Sequence, residues 1–138
     1  MSNILQTQTT SFKKELYTGV HNLSTNTLYI ALYTANADLN ESTTVYSSSG
    51  EVSGTGYSPG GVPLTGATIN SSGFTAYVDF ADVVFGASVT ARCALIYNVT
   101  RGNKSIAVLD FGSDKTSTNF TITMPANTAT AALIRSSN

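Results

Sequence analysis

Apolar residues recur mostly at every second position along this chain, which is the spacing of β-strands. Residues 27–34 are the clearest segment, because both sets of alternating positions are apolar. Such a strand is either covered on both sides or contributes to an interface. Its predicted faces are Leu28, Ile30 and Leu32 on one side and Tyr29, Ala31 and Tyr33 on the other.

Further strand signals follow towards the C-terminus. Residues 62–69 are interrupted by Pro63 and Gly66, which predicts a strand at a sheet edge or a bend. Residues 91–99 and 105–111 predict a hairpin whose connection offers Gly102 and Asn103 for positive φ. The remaining predicted strands are residues 120–124, residues 131–135 and residues 75–80, with Ala76, Val78 and Phe80 inward and Thr75, Tyr77 and Asp79 outward.

One segment has helical spacing instead. Phe12, Leu16 and Val20 recur at every fourth position, so we predict a short helix from Ser11 to His21 with Ser11 as its N-cap. Residues 1–10 are polar and aperiodic, which indicates an extended arm. The pattern as a whole predicts a mainly all-β domain over residues 11–138, an antiparallel β-sandwich of about 6–8 strands with one short N-terminal helix and a long Gly/Ser-rich loop.

The loop spans residues 35–61, which is unusually long for a compact domain and is therefore either functional or disordered. Residues 50–61 hold five of the eleven glycines, and aromatic and aliphatic side chains are interspersed in the region. The loop either folds back over one end of the sandwich or meets a partner. The candidate partner-binding residues, on this loop and on the strand before it, are Tyr29, Tyr33, Tyr46, Val52, Tyr57 and Pro59.

Charge excludes some classes of partner. Only 11% of the 138 residues are charged, the net charge is −1, and Lys and Arg are not clustered. A nucleic-acid-binding surface needs such clusters, so we predict no nucleic-acid partner. No apolar run is long enough for a membrane span, and the N-terminus lacks the pattern of a secretory signal.

Reactive side chains are few. The single His21 and the single Cys93 leave little room for a nucleophile with its base, and we interpret both as structural. The acidic pairs Asp79 with Asp82 and Asp110 with Asp114 lack the spacing of a calcium loop. We therefore predict no catalytic, metal-binding or cofactor-binding residues and no enzyme activity, and a small hydrolase would need an acid–base pair that is not evident.

Several segments together resemble a family of small virion structural proteins of tailed bacteriophages. The resemblance runs from about Ser11 to Arg135 and departs at Cys93, where a small residue such as Gly is expected. The segments that carry it are Ser11–Asn22, Leu28–Thr34, Glu51–Tyr57, Ala94–Asn98 and Ala107–Gly112.

The resemblance implies a non-enzymatic component of the virion, assembled in the cytoplasm of a bacterial host. A capsid decoration (cement) protein, bound to the major capsid protein or to neighbouring virion subunits, is the first expectation. Such a protein is expected to be a homo-oligomer, with a trimer favoured, and the arm and loop would provide its reach. The alternative is a tail, neck or fibre component, in which the Tyr-bearing loop would contact the host surface.

Overall fold

The computed structural model describes residues 4–137 and confirms the mainly all-β fold with one short helix. It has ten strands, more than the predicted number, because several are only two or three residues long. The segment 62–69, for example, is split at Gly66. The elements are β1 Thr7–Gln8, α1 Thr10–Tyr17, β2 Leu28–Tyr33, β3 Val62–Leu64, β4 Thr68–Ser72, β5 Thr75–Asp79, β6 Val83–Val84, β7 Val89–Asn98, a 3₁₀ turn Val99–Arg101, β8 Lys104–Ser117, β9 Thr121–Ile122 and β10 Ile134–Ser137.

The strands form three antiparallel sheets. The largest has the order β1-β8-β7-β2-β3, the second β10-β5-β4, and β6 pairs with β9. As predicted, the strand containing Pro63 lies at an edge, and Gly102 and Asn103 have positive φ between β7 and β8. That the sheets stack as a two-layered sandwich stays a prediction, although the two larger sheets contribute to a common core.

The five-stranded sheet is covered on both faces, which explains the two apolar faces of β2. On one face Leu28, Ile30 and Leu32 join the main core, together with Phe12 of the helix and Val78 of the three-stranded sheet. On the other face lies a second buried cluster. It consists of Ala31, Tyr33, Ala37, Leu39, Cys93, Leu95, Tyr97 and Val108.

The β2–β3 loop, residues 34–61, provides the cover for this second face. Ala37 and Leu39 are buried in the cluster, and Tyr46 packs against it. The loop therefore folds back, over a sheet face and not over one end as expected. A partner contact of the loop stays a prediction.

The helix begins and ends earlier than predicted. Its N-cap is Thr9, whose hydroxyl accepts a hydrogen bond from the Phe12 amide at 3.3 Å, and its last residue is Tyr17. Gly19 has a φ of 75°, and the Val20 amide bonds to the Glu15 carbonyl at 3.0 Å. Because a left-handed glycine with this bond closes a helix, Val20 and His21 lie beyond its end.

The segment before the helix packs against the same molecule, on β8 and the β2–β3 loop. Thr7 and Gln8 pair with Val108 and Ala107 of β8, and the Leu5 amide bonds to the Leu39 carbonyl at 2.9 Å. Residues 1–3 of the predicted arm lie outside the described residues, and the division into an arm and a domain stays a prediction.

The inward and outward assignments of β5 are wrong at two positions. Ala76 is exposed and Asp79 is buried. The pairs at the hairpin end of this sheet, such as Ser71 opposite Ala76, are exposed, whereas Val78 at the other end is in the core. Position along the strand therefore decides burial here more than face does.

Candidate functional site

A cluster of tyrosines around Glu51 holds the β2–β3 loop against the sheet. The Tyr46 hydroxyl donates a hydrogen bond to Glu51 Oε1 at 2.6 Å, and the Tyr57 hydroxyl donates to Oε2 at 2.6 Å. The Gly60 amide also donates to Oε2, at 2.8 Å. Three donors from the loop thus converge on one carboxylate, and hydrogen bonds to a charged group are stronger than neutral ones.

Other hydrogen bonds connect this cluster to the strands. The Leu32 amide of β2 donates to the Tyr57 hydroxyl oxygen at 3.0 Å, so that Tyr57 links the strand to Glu51. The Tyr33 hydroxyl donates to the Ser47 carbonyl at 2.6 Å. The Tyr97 hydroxyl donates to the Gly60 carbonyl, and its ring stacks on Tyr46 with the centroids 4.7 Å apart.

The electrostatics of the cluster keep its phenols neutral. Burial is the largest cause that raises the pKa of these phenols, and the nearby Glu51 carboxylate raises it further. The pKa values of Tyr33, Tyr46 and Tyr57 lie above the ordinary value, and that of Tyr97 is raised to about 12. A neutral phenol can donate to a carboxylate, whereas a phenolate cannot. The arrangement therefore acts as a clamp on the loop.

The structure brings most of the candidate partner-binding residues into or beside this clamp. Tyr33 and Val52 are buried and offer no surface to a partner. The others are more accessible, and a partner contact through them stays a prediction. Tyr29, Tyr46 and Tyr57 are half-buried, and Pro59 is exposed.

Two members of the clamp, Glu51 and Tyr97, were not predicted from the sequence. Glu51 had a detectable signal, since it is the only charged residue between Glu41 and Asp79. Tyr97 had no comparable signal, because it is one of several apolar residues on β7.

His21 has a structural environment. Its Nε2 lies 2.8 Å from Glu15 Oε1, and its Nδ1 lies 3.0 Å from Asn98 Nδ2. Because the Asn98 amide nitrogen is a donor, Nδ1 accepts there and the proton on Nε2 points to Glu15. The ring also packs 5.0 Å from that of Phe12, so His21 joins the helix to β7.

Cys93 and Asp110 are neighbours on β7 and β8 with different environments. Cys93 is fully buried, and burial raises the pKa of its thiol to about 12. The Gly112 amide, followed by the Arg92 guanidinium at 3.0 Å, lowers the pKa of Asp110. The Cys93 thiol is thus kept protonated and packs in the core as a neutral group. The Asp110 carboxyl is kept ionised and forms an ion pair with Arg92.

An open groove of about 800 Å³ separates α1 from the three-stranded sheet, and we call it the helix–sheet groove. Three large apolar side chains at the groove are exposed: Leu16, Tyr17 (92% exposed) and Ile69 (51% exposed). Lys13 and Arg135 are its charged lining residues. A contiguous group of exposed apolar residues is typical of a contact surface.

A second groove, of about 680 Å³, is lined mainly by apolar residues of β8, β9 and the segment before β10. Lys115 is its charged lining residue. Within residues 4–137, no three His, Cys, Asp or Glu side chains come together as a metal site. None of the helices in that range is long and apolar enough to cross a membrane.

Comparisons with known proteins found no match, whether to a family model, to a curated protein or to a solved structure.

Proposed function

We propose that this protein is a non-enzymatic structural component of a tailed-bacteriophage virion, and specifically a decoration protein that binds the major capsid protein. The helix–sheet groove is the observation that carries the proposal. It presents Leu16, Tyr17 and Ile69 to solvent. The β2–β3 loop of the same domain is held against the sheet by the hydrogen bonds to Glu51. A protein that works by lasting contact needs such a surface on a rigid body.

The resemblance of residues 11–135 to small virion proteins supports the same proposal. A decoration protein adds buried area between neighbouring shell subunits and so stiffens the shell. The low charge of the chain suits this role, because closely packed copies then repel one another weakly. The half-buried Tyr46 of the clamp and the exposed Pro59 beside it provide a second surface for such contacts.

The test is to locate the protein on purified particles of the virus whose genome encodes it, and to count its copies per particle. Gold-labelled antibodies should mark the heads, and quantitative gels should give on the order of hundreds of copies per particle, as repeated shell sites require. About six or twelve copies at the neck or tail would instead support the alternative, a tail or neck component. Particles without the protein would refute both.

The surface itself is tested by substitution. Tyr17→Ala should lower the amount of protein retained on particles, because it removes the most exposed ring at the groove. Val84→Ala is the matched control, since Val84 is also exposed but does not line the groove. Equal retention of both variants would mean that the groove is not the contact.

A further inference from the structure

The outer edge of β4 is an open and unprotected sheet edge. β4 is the last strand of the order β10-β5-β4, and all five of its residues are exposed. Its sequence, Thr-Ile-Asn-Ser-Ser, contains no charge, no proline and no glycine. Natural β-proteins usually protect edges with charged residues or proline, because an open edge pairs readily with another strand.

The other edges of the described sheets are protected or very short. β3 carries Pro63, and β10 carries Arg135. The part of β8 beyond β1 carries Asp110, Asp114 and Lys115. The strands β1, β6 and β9 have two residues each. Among the terminal strands of the described sheets that have three or more residues, β4 is thus the one without a protective residue.

The hairpin turn decides which backbone groups of β4 point outward. Ser72 pairs with Thr75 across the two-residue turn Gly73–Phe74, and Gly73 has a φ of 59°. Such a turn is closed by a hydrogen bond between the residues that flank it, and hydrogen-bonded and non-hydrogen-bonded pairs then alternate. Thr68, Asn70 and Ser72 therefore direct their backbone groups towards β5. Ile69 and Ser71 direct theirs to the open side.

We propose that this edge pairs with the β4 edge of a second copy, antiparallel and centred on Asn70. Ile69 of each copy then lies opposite Ser71 of the other, and the outward groups of these residues form four backbone hydrogen bonds. The two three-stranded sheets become one sheet of six strands. This is a two-fold contact, in which the same patch of each copy meets itself.

The side chains of β4 favour a second copy as the partner. In this register all five residues are paired, with Thr68 opposite Ser72 and Asn70 opposite itself. Hydroxyl pairs across strands are favourable, whereas like charges directly opposite one another are unfavourable. When a strand pairs with the same strand of a second copy about a two-fold axis, each charged side chain lies near the identical charge of the other copy. Repulsion therefore disfavours self-pairing of β10, which carries Arg135, but not of β4, which carries no charge.

The inference does not depend on the proposed virion role, because the contact is between copies of the free protein. The first experiment measures the molar mass of the purified protein by light scattering over a range of concentrations. Wild type should contain paired copies. Asn70→Lys should halve the mass, because it sets two ammonium groups opposite each other, and Ser136→Lys on the far edge of the same sheet should leave it unchanged. Both positions are exposed, and circular dichroism checks that both variants fold.

A monomeric wild type at concentrations of about 100 μM, or an Asn70→Lys variant that keeps the full mass, would overturn the proposal. A trimer that Asn70→Lys leaves intact would overturn it as well.

The second experiment tests the register. A non-hydrogen-bonded pair has its Cβ atoms about 4.5–5.5 Å apart, close enough for a disulfide after a small shift. Mild oxidation of Asn70→Cys should therefore give a covalent dimer on a non-reducing gel, and Ser136→Cys should give little. Cys93 is fully buried and does not interfere in the folded protein. Equal cross-linking of the two variants would contradict the register.

Discussion

Glu51 shows how one residue can organise a long loop. Its carboxylate accepts hydrogen bonds from Tyr46, Tyr57 and Gly60, all of which belong to the same loop. Backbone hydrogen bonds, such as that of the Val52 amide to the Leu32 carbonyl at 3.0 Å, and the buried Ala37 and Leu39 also hold the loop on the sheet. The clamp converts a Gly-rich segment, which loses much conformational freedom on folding, into a fixed cover.

Glu51→Gln should therefore lower the free energy of unfolding by about 1–2 kcal/mol, since it removes the charge from three hydrogen bonds and forces the Tyr46 hydroxyl to accept from the new amide instead of donating. Chemical denaturation measures the change. Tyr17→Phe is the control, because the Tyr17 ring is exposed and its loss of a hydroxyl should matter by less than about 0.5 kcal/mol. Equal stabilities of the two variants would show that the clamp contributes little.

At the scale of elements, the close approach of the loop end to β2 depends on Gly61. Its φ is 84°, and an added Cβ would lie 1.9 Å from the Ile30 carbonyl oxygen. Gly86 also has a positive φ, of 65°, but open space surrounds the position of its Cβ. The two glycines thus separate the cost of backbone conformation from the cost of a steric clash.

Gly86→Ala should cost about 1 kcal/mol of stability from its backbone conformation alone. Gly61→Ala should cost about 4 kcal/mol or more, because the clash forces β2 and the loop apart. Denaturation curves of both variants measure the difference. A similar small loss in both would mean that the loop end shifts easily, and it would contradict the tight packing described above.

At the scale of the whole molecule, the buried phenols couple the fold to alkaline pH. The pKa values of Tyr33, Tyr46, Tyr57 and Tyr97 in the folded protein are raised above the ordinary value of 10.0, and that of Cys93 is raised above 9.0. Between the ordinary and the raised value the folded state holds more protons than the unfolded state, so stability falls as pH rises.

We expect stability to be unaffected by these groups at neutral pH, to fall from about pH 9 upwards and to be lost near or above pH 12. Tyrosinate absorbance and near-ultraviolet circular dichroism, followed in one titration, test this. The ionisation of the four phenols should coincide with the loss of the folded signal. Full ionisation while the folded signal persists would contradict the clamp.

Much of the fold was predictable because strand patterns are local. The alternation in residues 27–34, the proline at a sheet edge and the turn at Gly102 and Asn103 each depend on a few neighbouring residues, and each agrees with the structure. The helix boundaries were less accurate. Thr9 and Ser11 are both good caps, and the hydrogen bonds of the folded chain selected Thr9.

The candidate site was predicted only in part, because the sequence does not show which residues meet. Tyr46 and Tyr57 were singled out for a possible partner, yet both hydroxyls bond to Glu51 of the same loop. Asp79 was expected to face solvent, but its distance from the hairpin turn places it at the buried end of the sheet. Contacts between distant residues decided each of these outcomes.

The sequence by itself determined that this protein is mainly β and that β2 has two faces in need of cover, because side-chain periodicity records which faces avoid water. Only the tertiary structure decided what provides that cover, namely the β2–β3 loop held by Glu51, and which edge stays open, namely β4. The physical reason is that hydrophobicity is a property of each residue, whereas the groups that each residue packs against are decided by the folded chain.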